Sequence, residues 1–145
     1  MNRLSELKEN RKLDNKGFSL VELIIVIAIM AVLIGVLAPQ YLKYVDRSRE
    51  SADADQIDKL ISAVEIYSAA NGVVSGDISI DGDGTVTPST SVETALADAG
   101  IKVDTNKPLM TSKTFKQVCT INFDTDGVTI NVEEIANVLG REYKP

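Results

Sequence analysis

Residues 16–39 read KGFSLVELIIVIAIMAVLIGVLAP, and this stretch decides the fold. The apolar run from Phe18 to Ala38 is about 21 residues long, and as a helix it would extend about 31 Å, which matches the hydrocarbon thickness of a bilayer. One carboxylate, Glu22, stands near the start of the run. A charged side chain at the centre of a membrane helix costs about 2.5–3.5 kcal/mol, and less near an end. The segment can therefore span a membrane, but a permanent anchor gives no reason to keep Glu22.

The charges on the two sides of the run predict its orientation. Five basic residues precede it and three follow it: Arg3, Lys8, Arg11, Lys12 and Lys16 before, and Lys43, Arg47 and Arg49 after. The more basic side tends to stay in the cytoplasm, so we expect the N-terminus inside and most of the chain outside. An ordinary secretory signal has a shorter apolar region and a small-residue cleavage site behind it. Such a signal, or a plain single-pass anchor, is the alternative interpretation.

The helix is predicted to continue beyond the apolar run, from about residue 18 to about residue 70. Apolar residues recur at helical spacing at Ile57, Leu60, Ile61 and Val64, with Tyr67 and Ser68 completing the stripe. The polar positions between them are interpreted as a solvated face: Asp53, Asp55, Gln56, Asp58, Lys59 and Glu65. Asn71-Gly72 is a typical helix stop.

Two residues interrupt the predicted helix. Gly35 weakens a helix by about 1 kcal/mol relative to alanine, and Pro39 removes a backbone hydrogen bond. They predict either a simple kink or a segment that stretches or melts locally between Gly35 and Pro39.

Short strands and turns are predicted after Gly72. Ile78 and Ile80 alternate as in a strand, and residues 91–100 are typical of a short helix capped by Ser91. The clearest hairpin lies within 115–132, around the turn Asp124–Gly127. The last segment, VEEIANVLGREY, is predicted to form a short helix or a loop. The fold class is therefore α+β, with a small antiparallel sheet packed on the second half of the long helix.

The composition argues against an enzyme. The 145-residue chain has a net charge of −6, no histidine and a single cysteine, Cys119, which we interpret as a buried small hydrophobe. Common nucleophile–base pairs and imidazole metal sites are thus absent from the sequence. The DGDGT stretch, 81–85, lacks the glycine and acid of an EF-hand at the required positions and is better interpreted as a turn, with a weak calcium site as the alternative. We expect no cofactor and no metal site.

The stretch KGFSLVEL resembles the class III signal of type IV prepilins and related pseudopilins. It has a basic leader, a Gly-Phe junction, a glutamate four residues after the phenylalanine and a long apolar run, and Pro39 also agrees with the family. The resemblance implies the type IV pilin fold. It implies that a prepilin peptidase cleaves between Gly17 and Phe18 and that the new amine of Phe18 is methylated. It further implies that Glu22 pairs with the Phe18 amine of a neighbouring subunit in a helical filament.

Three regions follow from this resemblance: a leader at 1–17, an apolar membrane and filament-core helix at 18–40, and a globular head at 41–145. The expected protein is a structural pilus subunit for adhesion, motility or surface contact. It would be a membrane precursor first and an extracellular filament later. Its expected partners are other copies of itself, the peptidase, the membrane, and the assembly platform with its ATPase. A pseudopilin or minor pilin and a membrane-anchored binding domain are the alternatives.

The charge of the mature chain and three departures from the family also bear on these expectations. Removing 1–17 leaves 10 Lys/Arg against 18 Asp/Glu, a charge of −8, so nucleic acid is not expected as a partner. Ser19 stands where many members have threonine, Gly35 lies four residues after the usual glycine position, and the paired cysteines of many Gram-negative pilins are lacking.

Overall fold

The computed structural model describes residues 17–145, which form an α+β arrangement of a long N-terminal helix and a small, mostly antiparallel sheet. Residues 1–16 of the predicted leader lie outside the described residues. The elements are, in chain order, α1 (Leu20–Asn71), β1 (Gly76–Ile80), β2 (Val86–Pro88), α2 (Thr90–Asp98), β3 (Cys119–Asp124), β4 (Gly127–Ile130), α3 (Glu133–Leu139) and β5 (Glu142–Tyr143).

The long helix is confirmed, with bounds within two residues of the prediction. It runs from Leu20 to Asn71 and contains Pro39 in its interior. Gly72 follows the last helical residue with φ +100°, a backbone conformation that side chains other than glycine rarely adopt. The helix therefore ends where the Asn-Gly pair predicted.

The five strands are ordered β2-β1-β3-β4-β5. The predicted hairpin is confirmed as β3 and β4, in which Asp124 pairs with Gly127 and Ile121 with Ile130. It is shorter than expected at both ends, since β4 stops at Ile130 and Val132 already caps α3. Phe115 is buried, but it lies in a turn in which Lys116 N donates to Ser112 O at 3.1 Å, so the chain becomes extended only at Cys119.

The last strand departs from a purely antiparallel sheet. β5 pairs with β4 in parallel, with Thr129 opposite Glu142. This orientation follows from the C-terminal segment, which forms the helix α3 and carries the chain back along the sheet before β5 begins. Gly140, at φ +62°, ends α3 in the left-handed conformation.

The short helix α2 is confirmed, but the predicted cap is wrong. Ser89, not Ser91, occupies the N-cap position. The Ser91 hydroxyl instead donates to the carbonyl of Ser75 at 2.7 Å, so it ties the helix to the chain preceding β1.

The core of the unit formed by residues 41–145 lies between the second half of α1 and the sheet. Ile57 and Ile61 of the helix are fully buried, as are Ile78 of β1 and Ile121 of β3. The predicted packing of the second half of the helix on the sheet is therefore confirmed. Cys119 is buried among these aliphatic side chains, as expected of a small hydrophobe.

Candidate processing and assembly site

The predicted cleavage junction lies just outside α1. Gly17, Phe18 and Ser19 are not helical, and the Phe18 side chain is 90% exposed. The peptide bond between Gly17 and Phe18 is therefore separated from the first helical residue, Leu20, and is not enclosed by other parts of the described chain. Cleavage at this bond and methylation of Phe18 remain predictions.

Ser19 and Glu22 form a capping box at the start of α1. The Ser19 amide donates to Glu22 Oε2 at 2.8 Å, and the Val21 amide donates to Ser19 Oγ at 3.3 Å. Two amides of the first turn thus gain acceptors, and the Glu22 carboxylate lies near the positive end of the helix dipole. The sequence interpretation missed this role of Glu22, although a serine three residues before a glutamate at the start of an apolar run is its usual signal.

The capping box bears on why Glu22 is tolerated. Its hydrogen bond from Ser19 partly satisfies the carboxylate within its own chain, which lowers the cost of placing it near hydrocarbon. The predicted contact with the Phe18 amine of another subunit involves a second chain and remains a prediction.

The N-terminal part of α1 exposes a continuous apolar surface. Its large apolar side chains are all exposed, from 46% at Val26 to 74% at Leu20. The helix is long and apolar enough to cross a membrane. Its most apolar stretch of 18 residues has a mean hydropathy of 3.1, and none of that stretch is buried within the described chain. Apolar surface of this extent needs a cover of lipid or of other protein chains.

Gly35 and Pro39 both lie within α1. A Cβ atom added at Gly35 would meet no atom within 4 Å in a single chain, so close packing in the described residues does not require a glycine there. The predicted flexibility between the two residues stays a prediction.

In the unit formed by residues 41–145, the prediction of a solvated face is wrong at Asp53. Its side chain is fully buried and accepts four hydrogen bonds from the loop that precedes β3. The Ser112 amide donates to Oδ2 at 2.6 Å, and the Thr111 amide donates to both carboxylate oxygens at 2.9 and 3.1 Å. Helical periodicity alone could not reveal this contact, because the partners are 58 and 59 residues away.

Arg141 fastens the C-terminal segment to the same helix. Its guanidinium donates to Glu65 at 2.7 Å and lies 3.4 Å from Asp58. Burial acts to lower the pKa of Arg141, but the hydrogen bonds and charges of Glu65 and Asp58 outweigh it and raise the pKa above its ordinary value. The two acids belong to the predicted solvated face, and the sequence did not indicate their partner.

The other residues with potential chemistry have structural roles. The DGDGT stretch turns the chain between β1 and β2, where the Thr85 amide donates to Asp83 at 2.8 Å and holds the pKa of that carboxyl below its ordinary value. Burial raises the pKa of the Cys119 thiol to about 11, which disfavours the nucleophilic thiolate at neutral pH. Within residues 17–145, no group of three His, Cys, Asp or Glu side chains is placed to hold a metal ion.

Comparison with known proteins agrees with these features. A family model described as the prokaryotic N-terminal methylation motif matches residues 12–38, which include Gly17, Phe18 and Glu22. The chain is 35% identical over 96 residues to the type IV major fimbrial protein FimA of Dichelobacter nodosus. This match covers 60% of the chain and 61% of the relative, so the chain spans less than two thirds of that protein's length. No solved structure matches the chain significantly.

The matched motif and the similarity to FimA agree with the architecture of the chain. The matched motif includes the start of the long apolar helix, and an α+β arrangement with a small, mostly antiparallel sheet accompanies it. Together, the methylation motif and the 35% identity to a major fimbrial protein support a type IV pilin.

Proposed function

We propose that the protein is the structural subunit of a type IV pilus. In this proposal a prepilin peptidase removes residues 1–17, the amine of Phe18 is methylated, and the mature subunit polymerises into an extracellular filament. The filament serves adhesion, motility or surface contact, and the subunit has no enzymatic activity of its own. The observation that carries the proposal is a methylation motif continuous with an apolar helix whose large apolar side chains are not covered by any other part of residues 17–145.

The exposed apolar surface needs two different covers at two stages. Before assembly, lipid covers residues 18–40, with the N-terminus on the cytoplasmic side and the head, 41–145, outside. After assembly, the same surface packs against the helices of other subunits. An assembly platform and its ATPase are the partners that move the subunit between these environments. The match to a major fimbrial protein favours a main filament subunit over a pseudopilin, a minor pilin or a membrane-anchored binding domain.

Glu22 has one role in each stage of this proposal. In the separate subunit its carboxylate accepts the Ser19 amide of the same chain. In the filament it pairs with the Phe18 amine of a neighbour, and an unpaired buried charge is costly, so a subunit out of position is disfavoured. The charge thereby sets the register of assembly.

Two substitutions separate the capping role of Glu22 from the charge role. In Glu22→Gln the amide oxygen still accepts from Ser19 but carries no charge, whereas Glu22→Ala removes both functions. We expect both variants to enter the membrane and be cleaved, and both to yield at least tenfold less filament in the fraction sheared from cells. Normal filaments from Glu22→Ala would contradict the proposal. Normal filaments from Glu22→Gln alone would assign Glu22 to capping rather than to charge pairing.

A further inference from the structure

A groove of about 680 Å³ runs between the second half of α1 and α2, within the unit formed by residues 41–145. Its apolar lining includes Tyr67, Ala95 and Ile101, and Ile66 on its rim is 71% exposed. A large aliphatic side chain at such exposure next to an apolar groove gives a contact surface for another apolar group.

The charged lining of this groove is mostly acidic, because Asp55, Asp58 and Asp98 line it against a single base, Lys59. The last residues of α1, Ala70 and Asn71, line it together with Asp98 and Ala99 at the end of α2. Neither helix has a basic residue in its last turn. Helix C-termini carry partial negative charge, which Asp98 increases, and no cation lies within 4 Å of the Asp98 carboxylate in residues 17–145. A positively charged partner is therefore favoured in this groove.

The segment Tyr41–Arg49 of α1 has the complementary character. Tyr44 is 67% exposed, and Lys43, Arg47 and Arg49 are exposed. These three cations form no ion pair within the described part of the chain. With Asp46 as its single acid, the segment has a formal charge of +2 in a chain that is otherwise acidic.

The same chain cannot supply both halves of this contact. Tyr44 and Ile66 lie 22 residues apart on one helix, which at 1.5 Å per residue separates them by about 33 Å along the axis. No side chain bridges such a distance, so the segment that enters the groove must come from a second copy.

We propose that the groove between α1 and α2 receives the Tyr41–Arg49 segment of a neighbouring copy. Tyr44 of the neighbour packs on Ile66, and Arg47, one helical turn further along, pairs with Asp98 in the lining of the groove. The proposal rests on the proposed function and specifies one contact of the filament. Because different patches meet on the two copies, the contact is heterologous, and a heterologous contact repeats as an open filament when successive copies are displaced along one axis. Copies with parallel helices are then offset by about 33 Å.

Disulfide trapping in intact filaments tests this contact. The double variant Tyr44→Cys/Ile66→Cys is oxidised in filaments sheared from cells and run on a non-reducing gel. We expect a ladder of covalent multimers, because the two cysteines are too far apart to pair within one chain. The matched control is Tyr44→Cys/Val118→Cys, in which the second cysteine replaces another exposed aliphatic residue outside the groove. Filaments of the first variant without a ladder, or with no more ladder than the control, would overturn the proposal.

A charge exchange provides a second test that does not depend on assembly of the cysteine variants. We expect Arg47→Asp to reduce sheared filaments at least tenfold, and the combination Arg47→Asp/Asp98→Arg to restore them to at least half of the wild-type level. Failure of the exchange to restore assembly would contradict the contact while leaving the pilin function intact. Absence of filaments from the wild-type chain would instead refute the proposed function, and the groove proposal with it.

Discussion

Replacement of Asp53 by alanine removes the contact that fastens the loop before β3 to the long helix. The carboxylate is fully buried and accepts the amides of Thr111 and Ser112 and the hydroxyl of Thr111. Without it, the buried Ser112 amide loses its partner, while Thr111 is exposed and can be rehydrated. A buried amide left unpaired costs about 1–3 kcal/mol, and each lost hydrogen bond to a charged group about 1.5–3 kcal/mol. Because these contributions overlap, we expect a loss of about 3–4 kcal/mol in the free energy of unfolding.

Urea unfolding of a fragment of residues 43–145, which is the head without its first two residues, measures this loss, with Asp53→Asn and Asp55→Asn as matched comparisons. Asp53→Asn keeps one acceptor oxygen but turns an NH₂ group toward the amide donors, so we expect a loss of about 1–2 kcal/mol. Asp55 is exposed on the same helix, and its substitution should change stability by less than about 0.5 kcal/mol. The urea dependence of the unfolding free energy should stay unchanged. A loss below about 1 kcal/mol in Asp53→Ala would refute the reasoning.

Three further predictions concern the same unit. Gly84→Ala should lower the free energy of unfolding by at least about 2 kcal/mol, because the glycine has φ +91° and a Cβ would lie 2.6 Å from the Met110 carbonyl oxygen. Urea unfolding measures the loss. The control is Gly82→Ala, where a Cβ meets nothing within 4 Å. The Cys119 thiol should resist alkylation at pH 8 until urea unfolds the protein. Deleting residues 1–42 should leave a soluble, folded monomer by sedimentation and circular dichroism, since the buried core residues lie between Asp53 and Ala136.

Each of these three has a contradicting result. Equal stability of the Gly84→Ala and Gly82→Ala variants would show that the Gly84 turn is not constrained. Fast alkylation of native Cys119 would show that the core opens readily at β3. Burial in the folded state raises the pKa of this thiol from 9.0 to about 11, so the folded state favours the protonated thiol. The stability that comes from this preference is fully present below pH 9, falls above pH 9 and is lost as the pH rises through 11. An unfolded or tightly oligomeric fragment would contradict the separation of the head from the apolar helix.

Local patterns were enough to predict the long helix, the short helix α2 and the β3–β4 hairpin. The 3.6-residue spacing of Ile57, Leu60, Ile61 and Val64 gave the buried face of α1, and the alternation around Asp124–Gly127 gave the hairpin. These signals are strong because one face of each element is buried and the other is solvated.

Contacts between distant parts of the chain were not predictable from such patterns. Asp53 was placed on the solvated face because its side chain is charged, although it lies four residues before Ile57 on the buried side of the helix. Its partners lie 58 and 59 residues further on. The parallel pairing of β5 likewise depends on how α3 carries the chain back to the sheet. The Ser19–Glu22 capping box is different, since its signal is local: a serine stands three residues before a glutamate at the start of the apolar run. The sequence interpretation assigned the Glu22 charge only to a contact between subunits.

Determination of the intact mass and N-terminal sequence of the protein sheared from cell surfaces tests the central claim most directly. A chain that begins at Phe18, is heavier by one methyl group and is recovered in the sheared fraction is the predicted result. A chain that begins at Met1 or Asn2 and is found only in membranes would contradict processing at Gly17–Phe18, and would favour a membrane-anchored binding domain over a pilus subunit.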